Sequence, residues 1–196
     1  MRKSRKFVED QKVGVKKEWT FLILAALFGA ALGVRWIAIL QTPVIANDAI
    51  LYIKSAKLYF SGAYKEGFRV YPYSLLPIFI AFLYRILGDW VLAGQWVSTL
   101  CGALAVIPLY LLARRIFDKK VTLLSTVFYI ICPNLVKYSV EVLRDIPFVF
   151  FYSIALWWGY KGIKDKKIIF VGLAGLFIAL AASIRIEGLT LLVSLV

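Results

Sequence analysis

VLAGQWVSTLCGALAVIPLYLLA, residues 91–113, runs for 23 positions without an Asp, Glu, Lys or Arg. A helix rises about 1.5 Å per residue, so ~20 apolar residues cross the ~30 Å hydrocarbon core of a bilayer. A helix on the surface of a soluble domain would break such a run with a polar stripe. Four further stretches lack charge altogether: residues 19–34, 121–136, 146–160 and 168–184. Each reaches spanning length once its interfacial ends are counted. Hydrophobic residues make up 62% of the chain and charged ones 18%, with a mean hydropathy of +0.81. Soluble domains sit near 45–50% and 25%. The pattern excludes a soluble globular domain and predicts an all-α, polytopic transmembrane helical bundle.

The charge is clumped between the apolar runs. Of 24 Lys and Arg, 15 fall in residues 2–17, 114–120 and 161–167. Basic loops stay on the cytoplasmic side of a membrane, which fixes the direction of each crossing. The net charge of +13 therefore points to anionic membrane lipids as partners and not to nucleic acid. Cys101 and Cys132 lie inside apolar runs and the chain has no histidine, so neither a disulfide framework nor a zinc site is expected. Residues 1–18 read as a cytoplasmic basic tail and residues 19–196 as the transmembrane module. The first apolar run is followed by Arg35 and lacks a small-x-small cleavage site, as in a retained signal anchor.

The first helix is predicted over residues 19–41, with Pro43 as its stop. Gly29 and Gly33 form a GxxxG, expected to pack against another helix of the same chain. Residues 44–89 mix charges, aromatics and turn residues. Asn47 or Asp48 can cap a helix running to Phe60, before the Ser61-Gly62 break. Residues 73–87 are apolar but short, with Pro77 inside and Arg85 near the end, and read as interfacial or re-entrant in the first outer loop. Residues 91–113 then cross inward, 121–132 outward, 146–160 inward and 168–184 outward. The stretch from Gly188 is too short to return, as expected of the N-terminal part of a longer chain.

This topology puts Asp48, Glu66, Asp89, Glu141, Asp145 and Glu187 on the outer side. Glu66 and Asp89 read as solvated loop residues. Ionisable groups near hydrocarbon are costly and are usually paired or functional. Glu141, Arg144 and Asp145 are spaced i, i+3, i+4, which shares one face if the stretch is helical. They form either a salt-bridged cap or part of a site. Asp48 is either an N-cap or a functional carboxylate, and Arg185 and Glu187 read as an interfacial ion pair. Carboxylates serve as a general base or hold a divalent ion, and arginine suits a phosphate. With Tyr52, Tyr59, Tyr64, Tyr71 and Tyr73 in the same loop, the set suits a phosphorylated, membrane-bound substrate.

Several landmarks occur in order: Asn47-Asp48-Ala-Ile-Leu-Tyr52, Ser61-Gly62, Tyr71-Pro72-Tyr73-Ser-Leu-Leu-Pro77, Leu83-Tyr84-Arg85-Ile-Leu-Gly88-Asp89, Tyr110-Leu-Leu-Ala-Arg114-Arg115-Ile-Phe117, Cys132-Pro133-Asn134, Ser139-Val-Glu141-Val-Leu-Arg144-Asp145 and Arg185-Ile-Glu187-Gly188. This set resembles the N-terminal half of the GT-C superfamily of membrane glycosyltransferases, in its protein O-mannosyltransferase and aminoarabinose transferase branch. The resemblance implies a multi-pass protein of the cell membrane whose active site faces outside. It further implies transfer of a sugar from a polyprenyl-phosphate-linked donor to a lipid, glycan or protein acceptor, with inversion. Asp48 matches the proposed catalytic base. Glu141 or Asp145 matches the supporting acid of the second outer loop, and a divalent cation would be held by Asp48, Glu141 or Asp145. Tyr52, Arg144, Arg185 and Glu187 complete the expected substrate-binding set, with Arg144 assigned to the donor phosphate on charge. Family members carry more helices and often a soluble C-terminal portion, so these 196 residues alone are expected to be inactive. A transporter or flippase would instead place charges at mid-membrane depth and repeat its halves. A non-enzymatic membrane subunit is the other alternative.

Overall fold

The computed structural model describes residues 17–42 and 46–194, and among them the chain is helical without strands. Most of the basic tail and Pro43, read as the stop of the first helix, lie outside the described residues. Helix α1 spans Lys17–Leu40, and Thr42 Oγ1 donates to the Ala38 carbonyl at 2.8 Å just past its end. Helix α2, Asn47–Phe60, ends at Ser61-Gly62, where Gly62 takes the left-handed φ of 84° that favours glycine. Helix α3, Tyr64–Val70, follows and carries Glu66, which is exposed on a helix and not in a loop.

Helix α4 spans Leu76–Leu87. Pro77 lies in its first turn, where a missing N–H has no intrahelical partner to lose. This moves the start of the helix three residues beyond the predicted 73. Gly88, at φ 71°, closes it. At 12 residues it is about 18 Å long, too short to span.

Helices α5, Trp90–Leu104, and α6, Val106–Ile116, cover the 91–113 run. Asp89, expected to be a solvated loop residue, is the α5 N-cap, its Oδ1 accepting from the Leu92 N–H at 2.7 Å; such caps are worth ~1 kcal/mol. The run breaks at Ala105 because Pro108 has no N–H to give the Leu104 carbonyl. It still forms one candidate span over Trp90–Ile116. Helices α7, Lys119–Ile131, and α8, Pro133–Val140, are bent by 50° at Cys132-Pro133. Helix α9, Asp145–Asp165, packs closely on α10, Ile168–Ala182. A 3₁₀ turn at Ile186–Leu189 and the short α11, Thr190–Ser194, complete the described chain. Both cysteines are free.

Of the five runs expected to cross, α1 and α5–α6 are each long and apolar enough, and the α7–α8 pair makes a third span only through its bend. Helix α9 has the length, but Lys161, Lys164 and Asp165 occupy its last turns. Helix α10, with 15 residues, reaches only about 22 Å. The protein is an all-α membrane protein, with fewer clear spans than its apolar runs.

Helix α5 is the hub, packing on α1, α2, α4, α8 and α9. Close approach needs glycine at specific points. A Cβ on Gly94 would come within 2.6 Å of Val142, and one on Gly102 within 2.6 Å of Ser139 Oγ. The GxxxG of α1 does not serve this purpose. A Cβ on Gly29 or Gly33 would meet nothing within 4 Å, so the expected packing of these glycines inside the chain is not found. The α1 face that packs is instead the one bearing Leu27 and Ala31.

The two ends of the bundle differ chemically. At one, Arg114 Nη1 donates to Thr20 Oγ1 at 3.0 Å, and the Arg115 guanidinium lies 5.7 Å from the Trp157 ring. This brings the start of α1 together with the 114–120 turn and the basic C-terminal part of α9. The acidic candidates gather at the opposite end.

Candidate active site

Asp48 lies in the first turn of α2, exposed, one helical turn before Tyr52. Asn47 or Asp48 was the candidate N-cap, with a functional carboxylate as the other reading of Asp48. The N-cap is Ala46, without a side-chain cap bond, and Asp48 makes no hydrogen bond or ion pair to any described residue. The helix is held instead by the packing of Ala49, Tyr52 and Ala56 on Leu76 and Ile80 of α4, Ala93 and Val97 of α5, and Val142.

Tyr52 is only 2% exposed. Its ring meets Tyr71 edge-on at 4.7 Å, an arrangement worth ~0.5–1.5 kcal/mol beyond burial. Burial above all, then its hydrogen bond to Tyr71, push the Tyr52 phenol well above its ordinary value, so it stays protonated. Tyr71 Oη accepts from Arg144 Nη1 at 2.8 Å. Tyr71 belongs to a loop whose continuation is tied down, since the Leu75 N–H donates to the Ser183 carbonyl at 3.2 Å. That bond brings the end of α10, and with it Arg185, beside the loop.

Residues 141–144 are not helical, so the shared helical face expected of Glu141, Arg144 and Asp145 does not exist. Pro133 starts α8 early and the helix stops at Val140. The segment is then clamped in an irregular path by α5. Thr99 Oγ1 donates to the Ser139 carbonyl at 3.0 Å, Ser98 Oγ donates to the Leu143 carbonyl at 3.2 Å, and Val142 is fully buried. Arg144 stands at the N-cap position of α9 with Asp145 as its first residue.

The ion pairs also differ from the sequence pattern. Asp145 pairs with Arg185, forty residues on, and Arg185 Nη2 binds Glu187 at 2.9 Å. The Arg185–Glu187 pair is as expected; the i, i+4 cap is not. The hydrogen bond from Arg185, first of all, holds the Glu187 carboxyl below the usual carboxylate range, and Arg144 adds to this through its charge. Glu141 makes no side-chain bond to any described residue. Arg144 therefore has a phenol but no carboxylate partner among the described residues, whereas Arg185 has two acids. Among the described residues no three of His, Cys, Asp and Glu come together as a group able to hold a metal ion.

Two residues of this region were not singled out by the sequence. Tyr71 appeared only as one tyrosine of several; its role depends on a partner 73 positions away. Arg35, read merely as the end of an apolar run, is fully buried. Its Nη1 donates to the Ala31 carbonyl at 3.2 Å, its guanidinium lies 5.3 Å from the Tyr129 ring, and Nε and Nη2 have no partner among the described residues. Tyr129 itself donates to the Gly102 carbonyl at 3.0 Å. A cation inside an apolar helix is the signal that would have flagged it.

The site thus gathers an unengaged carboxylate, a tyrosine pair and a carboxylate-free guanidinium at one end of a helical bundle. An adjacent Asp–Arg–Glu cluster is neutralised largely within itself. No curated protein and no solved structure matches the chain. The family described as dolichyl-phosphate-mannose-protein mannosyltransferase matches residues 74–196, a segment that holds Glu141, Arg144, Asp145, Arg185 and Glu187 and begins after Asp48, Tyr52 and Tyr71. That segment is more than half of the chain, and with its all-helical membrane architecture the protein belongs to this family of GT-C membrane glycosyltransferases.

Proposed function

We propose that the protein transfers a sugar from a polyprenyl-phosphate-linked donor to an acceptor hydroxyl at the outer face of the cell membrane. The N-terminus and the end of the bundle bearing Arg114, Arg115, Lys161 and Lys164 face the cytoplasm. The observation that carries this reading is the pairing of two unneutralised groups. Asp48 is exposed and engaged by no described residue, and Arg144 is held by Tyr71 with its charge unspent.

In the reaction, the Asp48 carboxylate takes the proton of the acceptor hydroxyl as that oxygen bonds to the anomeric carbon. The bond from that carbon to the donor phosphate breaks, and the lipid phosphate leaves from the opposite face, which inverts the centre. Arg144 offers its remaining N–H donors to the developing phosphate charge. The structure favours Arg144 over Arg185 here, because Arg185 already spends its charge on Asp145 and Glu187. General-base assistance contributes on the order of 10²–10⁴ in rate.

The test is Asp48→Asn in the complete enzyme, assayed with a polyprenyl-phosphate sugar. Because no cap bond is at stake, expression and stability should match wild type while transfer falls by ~10² or more. Full turnover in the variant would remove Asp48 as the base.

A further inference from the structure

A groove runs along the α4 surface on the side away from the core. Helix α4 buries Leu76, Pro77 and Ile80. Its other face presents Ile78, Ala81, Phe82 and Arg85, which line the groove together with Tyr59, Phe60 and Tyr64. Its volume is about 340 Å³, within the ~300–1,000 Å³ range of ligand clefts. From Ile78 to Arg85 it follows α4 for about 10 Å, given the 1.5 Å rise per residue. The walls are apolar and aromatic, and Arg85, in the last turn of α4, is the one cation lining them.

Arg85 is exposed and has no carboxylate partner among the described residues. Its nearest acid in sequence, Asp89, is committed to capping α5. Next to Arg85 in sequence, Tyr84 stacks on Trp90 at 3.6 Å, and the Lys57 ammonium lies 5.8 Å from the same Trp90 ring. A second cation thus stands close to this end of the helix. An apolar channel ending in unpaired positive charge complements a molecule with a hydrocarbon tail and a phosphate head. Arginine is suited to that head by its paired N–H donors.

We propose that this groove binds one acyl chain of an anionic bilayer phospholipid, with the lipid phosphate on Arg85 and Lys57 nearby. The site lies on the opposite face of α4 from the Leu76 and Ile80 contacts behind Tyr52. Its occupancy therefore does not depend on the transfer chemistry assigned to Asp48 and Arg144.

The experiment incubates the detergent-purified full chain with equal amounts of phosphatidylglycerol and phosphatidylcholine of identical acyl chains. Bound lipid is read by native mass spectrometry. Wild type should retain phosphatidylglycerol several-fold over phosphatidylcholine, and Arg85→Ala should lose most of that preference with unchanged helical circular dichroism. Phe82→Asp should reduce retention of both lipids. Equal retention by wild type overturns the proposal, and so does a preference that survives Arg85→Ala, which would locate the lipid on the basic segments. Displacement of phosphatidylglycerol by an equal amount of a polyprenyl phosphate would assign the groove to the donor lipid and also overturn it.

Discussion

Replacing Gly94 with alanine tests how α5 holds the segment that presents Arg144. The added Cβ would lie 2.6 and 2.8 Å from the two Val142 methyls and 3.2 Å from its Cβ. Val142 is fully buried and β-branched, so its side chain has little rotamer freedom to yield. The strain must move the backbone of residues 141–143 or force α5 aside. Overpacking of this kind costs ~1–3 kcal/mol. Against it stands the gain of alanine over glycine inside a helix, about 1 kcal/mol. The balance is a net loss of roughly 0–2 kcal/mol, and the displaced segment leads directly into Arg144.

The decisive measurement is a double-mutant cycle with Val142→Ala, which removes both methyls that the new Cβ meets. Unfolding in mixed detergent micelles, followed by circular dichroism, gives the four stabilities. Val142→Ala alone destabilises by leaving a cavity, but in the Gly94→Ala background that cavity receives the new Cβ. The double variant should be more stable than the sum of the single losses by at least ~0.5 kcal/mol, the lower end of couplings between residues in contact. Strictly additive losses, or a Gly94→Ala variant more stable than wild type, would refute the close packing of α5 on residues 141–143.

Two other outcomes follow from the same geometry. Tyr71→Phe keeps the edge-on ring contact with Tyr52 but removes the oxygen that Arg144 binds; in the complete enzyme the donor KM should rise several-fold with kcat little changed, and an unchanged KM would detach Tyr71 from donor binding. Single cysteines at positions 48 and 141, in a background lacking Cys101 and Cys132, should react with an impermeant thiol reagent on intact cells whereas one at position 120 should not. Labelling at 120 alone would reverse the topology.

The elements of this fold are largely legible in the sequence because they are set locally. The charge-free run at 91–113 marks the central span, Ser61-Gly62 stops α2, Leu87 ends α4 at a left-handed glycine, and the basic clumps mark one end of the bundle. Each of these rests on backbone hydrogen bonding, steric preference or transfer of apolar surface within a few residues. Proline is where local reading faltered. Pro77 fits a first turn, whereas Pro108 breaks a span and Pro133 bends one, and the position of each relative to a helix end decides the result.

The residues of the candidate site could be listed from the sequence, but their partners could not. Asp48, Arg144, Asp145, Arg185 and Glu187 stood out as ionisable groups beside apolar runs. Periodicity then paired Glu141, Arg144 and Asp145 on a helix that does not form, because α5 holds residues 141–143, past the end of α8, in an irregular path. Which acid meets Arg185, which phenol holds Arg144, and whether Gly29 and Gly33 face a neighbour depend on how helices many positions apart cross and rotate. Those angles are chosen by the summed packing of whole faces. The sequence alone therefore determined a helical membrane protein with its polar chemistry at the helix ends. Only the tertiary structure decided which of those charges neutralise one another and which remain free to act.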